Sequence, residues 1–149
     1  MAFIEGILNN QTFAVCFISW FVAQILKVIL TFIFDKKIDV SRFVGSGGMP
    51  SSHSSFVTSL ATSIGIQRGY ESLEFAMALV FALIVMYDAA GVRRAVGKQA
   101  KILNKMIEDI QEHRKDVFNE KRLKELVGHT PVEVLSGAIL GIIIANIMV

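Results

Sequence analysis

The stretch TFAVCFISWFVAQILKVILTFIF, residues 12–34, holds a single charge, Lys27, in an otherwise apolar run. A bilayer core about 30 Å thick is crossed by roughly 20 helical residues rising 1.5 Å each. The run therefore predicts a membrane-spanning helix. Two further stretches repeat the pattern: LEFAMALVFALIVMYDAAGV (residues 73–92), with acids only near its ends, and PVEVLSGAILGIIIANIMV (residues 131–149), whose one charge, Glu133, stands at its start. A fourth, SHSSFVTSLATSIGI (residues 52–66), is shorter and rich in Ser, Thr, Ala and Gly. Small residues let membrane helices approach closely, and hydroxyls bond across them. It predicts a helix packed inside the bundle; its length also fits a re-entrant segment. The expected fold is all-α, a single membrane-embedded domain over residues 1–149 with about four spans.

Charge orients this arrangement. With four spans, residues 35–51 and 93–130 share one side of the membrane, and thirteen of the fifteen Lys and Arg lie there. The opposite side holds only Arg68, in the short QRGYES turn, while Lys27 lies within a span. An excess of Lys and Arg marks the cytoplasmic side, so both polar loops are expected to face the cytoplasm of a multi-pass cell-membrane protein. The start of the chain lacks a basic segment and carries Glu5, so no secretory signal is expected there. Between residues 92 and 126, apolar residues recur at Val96, Leu103, Ile107, Ile110, Val117 and Phe118. Those spacings predict an amphipathic helix on the cytoplasmic membrane surface, or one that binds a partner. A net charge of +2, with basic and acidic residues mixed, gives no reason to expect nucleic acid as a partner. Cys16, the one cysteine, reads as a small buried hydrophobe.

Polar residues concentrate where loops enter spans. GSGGMPSSHSSF (residues 45–56) sets glycines, a proline, serines and His53 before a helix. A glycine turn and a serine cap explain part of it, but not His53. A helix start offers free N–H groups and partial positive charge, which suits an anion. Ser51 and Ser52 add hydroxyls and His53 adds a titratable imidazole, a set that fits phosphate. VGHTPVEV (residues 127–134) enters the last span in the same way, with Thr130, Pro131 and Glu133 matching a capping box. His129 precedes that cap, on the same side as His53. Two such histidines can serve as nucleophile and proton donor on one phosphoryl group. In YDAAGVRR (residues 87–94), Asp88 ends a span and is followed by Arg93 and Arg94. Guanidinium groups bind phosphate oxygens bidentately; an Asp88–Arg salt bridge and simple interfacial anchoring explain the same residues. Lys27, roughly 10 Å below the interface by helix rise, either snorkels or points into the bundle toward an anion.

Three blocks, GGMPSSHSS, YDAAGVRRAVGKQAKILN and LVGHTPVEVLSGAILG, together resemble the divergent branch of the type 2 phosphatidic acid phosphatase family, related to bacterial acid phosphatases and vanadium-dependent haloperoxidases. The resemblance implies that Ser51 and His53 match a P-S-G-H motif, with Ser52 in place of its glycine. It implies that His129 matches the nucleophile, and that Glu133 replaces the aspartate that orients it. The arginine expected six residues before that histidine falls on Leu123, with Arg122 one position further back. Lys36 and Arg42 are one residue closer than the first motif's lysine and arginine.

The expected function is a membrane phosphatase that hydrolyses a lipid phosphate monoester at the cytoplasmic leaflet through a phosphohistidine, without a metal or other cofactor. His129, His53 and Glu133 are its candidate catalytic residues. Lys27, Ser51, Ser52, Arg93 and Arg94, with Asp88 beside the arginines, form the candidate phosphate site. Membrane lipids surround the protein, and a bundle of four spans is thin enough that a homodimer is expected. A non-catalytic lipid-phosphate binder or carrier is the alternative, and a structural membrane subunit the third.

Overall fold

Asn10 opens the first long helix: its side chain accepts from the Phe13 amide at 3.0 Å, separating a short α1 (Ala2–Leu8) from α2 (Gln11–Asp35). A computed structural model of the protein describes residues 2–36, 48–113, 123 and 128–149. Within them follow α3 (Ser52–Arg68), α4 (Leu73–Ala90), α5 (Val92–His113) and α6 (Pro131–Met148). Polar caps start the later spans: Ser51 for α3, Ser72 for α4, and for α6 the full capping box of Thr130 and Glu133 with Pro131 in the first turn. Each cap satisfies an amide that the helix itself cannot. No strand occurs among the described residues.

Among the described residues, three helical stretches are long and apolar enough to cross a membrane: residues 11–33 in α2, residues 73–108 from α4 into α5, and α6. The short α3, about 25 Å long by helix rise, runs between them and packs on α2, α4 and α6. Its interior position explains its composition. Ser52, Ser54, Ser55, Ser59 and Ser63 are all buried, whereas Phe13, Phe17, Phe21, Phe81 and Ile84 face outward. Lipid tails are as apolar as leucine, so interhelical contact favours small residues and hydroxyls over bulk.

Two seams hold α3 in place. Against α2, Ser19 and Ser55 exchange bonds: the Ser19 hydroxyl donates to the Ser55 carbonyl at 3.1 Å, and the Ser55 hydroxyl to the Ser19 carbonyl at 3.2 Å. Against α6, Gly137 and Gly141 leave no room for a side chain. A Cβ at Gly137 would strike the Ser51 carbonyl, and one at Gly141 the Thr58 hydroxyl and Ser55 carbonyl. Thr58 also donates to the Ala138 carbonyl at 3.1 Å.

The amphipathic helix differs from the expected 92–126 span. α5 is described to His113, and Leu123 is not helical. Leu123 turns back onto Asn104, whose side chain donates to its carbonyl and accepts from its amide, both at 2.9 Å. Nineteen residues of continuous helix would separate these two by about 28 Å, so Leu123 does not continue α5. Val117, Phe118, Arg122 and Arg42 lie outside the described residues.

Candidate active site

Main-chain bonds bring the starts of α3 and α6 together at one end of the bundle. The Ser51 amide donates to the Glu133 carbonyl at 2.9 Å, and the His129 amide to the Ala89 carbonyl at the end of α4, also at 2.9 Å. Gly128 makes the second approach feasible. Its φ of +97° favours glycine, and a Cβ there would collide with the backbone of Arg93 and Arg94. His129 is thereby tucked in at 2% exposure, while His53, in the first turn of α3, faces outward. The two rings meet edge to face, their centroids 6.2 Å apart.

The two nitrogens of His129 are differently placed. Nδ1 lies 3.0 Å from Glu133 Oε2. Nε2 is buried and has no hydrogen-bond partner among the described residues. A proton on Nδ1 donates to the carboxylate and leaves the lone pair on Nε2. Burial pushes the His129 pKa below its ordinary value, the Glu133 carboxylate and the nearby Gly48 backbone oppose that, and the Lys27 ammonium adds to the lowering. The neutral ring is favoured. Ser51 and Ser52 are buried at the start of α3, and the Ser51 hydroxyl accepts from the Ser54 amide at 3.3 Å.

Lys27 points into the bundle and does not snorkel. It is 1% exposed, and its Nζ donates to Gln24 Oε1 at 2.7 Å. Gly48, at φ +91°, packs over its stem: a Cβ there would sit 3.1 Å from Lys27 Cγ. The ammonium lies close enough for its charge to act on both imidazoles. Arg93 Nε donates to Asp88 Oδ2 at 2.6 Å, forming the salt bridge expected there, and its charge also reaches His53.

The fold thus gathers His53, His129, Glu133, Ser51, Ser52, Lys27 and the Asp88–Arg93 pair at one end. Arg94 stands apart: it is exposed on α5, and the described residues tie its backbone to Gly128 but its side chain to neither ring. Leu123 presents an exposed apolar side chain where the resembled motif has its arginine. Gln24 and Gly48 escaped the sequence reading. Gln24 was detectable, because it lies one helical turn from Lys27 within the apolar run; only the position of Gly48 above that lysine reveals its part. Among the described residues, no cluster of three or more His, Cys, Asp or Glu is arranged to hold a metal ion.

A buried imidazole with one nitrogen oriented and the other open, beside a second imidazole and a cation, can attack a phosphorus centre. The family model described as "Divergent PAP2 family" matches residues 8–144. The uncharacterized membrane protein YuiD of Bacillus subtilis (strain 168) is 40% identical over 135 residues, covering 85% of each chain. No solved structure matches the chain.

Proposed function

Since this chain belongs to the Divergent PAP2 family, we propose that it is a membrane phosphatase hydrolysing a lipid phosphate monoester at the cytoplasmic leaflet. The observation that carries this reading is His129: Nδ1 held by Glu133, Nε2 unpartnered, and the ring 6.2 Å from that of His53.

In this mechanism the His129 Nε2 lone pair attacks phosphorus. The bond to the lipid oxygen breaks as His53 delivers its proton to that leaving oxygen. A phosphohistidine and a free lipid alcohol result. Water then attacks phosphorus, His53 takes its proton, and the P–N bond breaks to release inorganic phosphate and restore His129. Glu133 stabilises positive charge on the ring throughout. Lys27, Arg93 and the open amides at the start of α3 bind the phosphoryl oxygens, so catalysis is mainly positioning and charge stabilisation. Arg94 keeps a place in this site only if it turns inward when phosphate binds.

The test is phosphate release from a short-chain phosphatidate by the purified protein, with acid-quenched labelling for the phosphohistidine. Wild type should turn over and label, whereas His129→Ala should do neither. His53→Ala should still label, slowly, on a substrate with a good leaving group, because only proton donation is lost. The carrier alternative draws on Leu123, an apolar side chain where the resembled motif clamps phosphate with arginine. Saturable binding of the phosphatidate without turnover in wild type would favour it and exclude the hydrolase.

A further inference from the structure

The surface of α5 divides into three stripes along its length. Gly97, Ala100 and Asn104, spaced i, i+3, i+7, are buried, and Asn104 bonds Leu123. Val92, Val96, Leu103, Met106 and Ile110 form a second stripe that stays open, each between 47% and 57% exposed. Arg94, Lys98, Lys101 and Lys105, spaced i, i+4, i+7, i+11, form a third, and all four are exposed. At 100° per residue these four fall within about 60° of one another, on the side opposite the open apolar stripe.

An apolar stripe this long is unfavourable in water, and four cations in line, with the Glu108 carboxylate near one end of the row, repel one another unless further anions lie beside them. A leaflet of anionic lipids answers both. Acyl tails cover the apolar side to a depth of about 5–10 Å, and lipid phosphates meet the cations at headgroup level. We propose that α5 docks in the plane of an anionic leaflet through these two stripes, with negatively charged phospholipid headgroups as its specific partner. Charge complementarity favours this occupant over a second copy of the chain, which would cover the apolar stripe but leave the row of cations on the far side without anions.

Docking would also steady the candidate site. Only Gly91 separates α4 from α5, Arg93 in the first turn of α5 is bonded to Asp88, and Gly128 rests on the backbone of Arg93 and Arg94. The corner that α5 anchors therefore carries both Arg93 and the approach to His129. The docking itself does not depend on any turnover.

The test is a fluorophore on Met106→Cys in a Cys16→Ala background, with the full protein reconstituted in lipid nanodiscs. Lipid-borne and water-borne quenchers are compared in phosphatidylcholine discs and in discs containing phosphatidylglycerol. The expected result is a shift from aqueous to lipid quenching as phosphatidylglycerol is added. In Lys98→Gln/Lys101→Gln/Lys105→Gln protein that shift should be lost, with helical content unchanged by circular dichroism. Three outcomes would overturn the proposal: aqueous quenching in both lipids, lipid quenching regardless of charge, or protection that tracks the number of protein copies per disc. Each is read without any hydrolysis, so failure of the phosphatase reading leaves the result intact.

Discussion

Glu133 Oε2 serves two groups: it lies 3.0 Å from His129 Nδ1 and accepts from the Thr130 amide at 3.2 Å. Sequence offered these as alternative explanations of one glutamate, a helix cap or an orienting carboxylate; the geometry satisfies both with one oxygen. Glu133→Gln separates them, because glutamine also closes a capping box. We expect that variant to unfold within about 0.5 kcal/mol of wild type, while lipid phosphate turnover falls about 10²–10³-fold. A comparable loss of stability would mean that the carboxylate is chiefly structural. The protonation of His129 gives a second prediction. Hydrolysis needs the neutral ring, and burial keeps its pKa below the ordinary value. The acidic limb of turnover should therefore have its midpoint below about 6.5, the value for an unperturbed imidazole. The carboxylate raises that pKa, so Glu133→Gln should move the limb further toward acid. A midpoint above the ordinary value, or movement the other way, would assign the limb to another group.

At the scale of elements, the α3–α6 crossing depends on the absence of side chains. Gly137 and Gly141 admit the Ser51 carbonyl and the Thr58 hydroxyl where a methyl group would stand. Each Gly→Ala change should cost about 1–3 kcal/mol, as overpacking does elsewhere, measured by thermal unfolding in mild detergent. Because Ser51 also bonds Glu133, Gly137→Ala should reduce turnover more than Gly141→Ala does. The Ser19–Ser55 exchange is a weaker tie, and a double-mutant cycle should return about 0.6 kcal/mol of coupling. These seams show why sequence revealed some elements and not others. The apolar runs of α2, α4 and α6 declare themselves, because lipid asks for bulk on the outside. α3 could be placed by its Ser51 cap but not distinguished from a re-entrant segment, since its hydroxyls bond to helices remote in sequence: Ser55 to α2, Thr58 to α6. α1 was unseen, although the paired Asn9 and Asn10 signal a new start. The pairing of Leu123 with Asn104 left no pattern at all, because one amide side chain makes it.

At the scale of the whole molecule, the proposal of a cytoplasmic site rests on charge: thirteen of fifteen Lys and Arg fall in the two segments expected to share one side of the membrane. In Cys16→Ala protein within sealed right-side-out vesicles, a membrane-impermeant thiol reagent should label Glu71→Cys directly. Lys101→Cys should label only after permeabilisation, and the reverse would turn the protein over and exclude cytoplasmic-leaflet substrates. Native mass measurement in mild detergent tests the expected homodimer, which a monomer would exclude. Much of the site was legible because histidine and lysine are conspicuous in greasy surroundings. What sequence could not convey is that backbone amides set their spacing, Ser51 to Glu133 and His129 to Ala89. A frame made of main chain does not depend on the reactive groups it displays. Replacing both imidazoles with alanine should leave those two amides as slow to exchange with heavy water as before. Descendants of such a chain could abandon the original chemistry, keep the socket, and fit it with another.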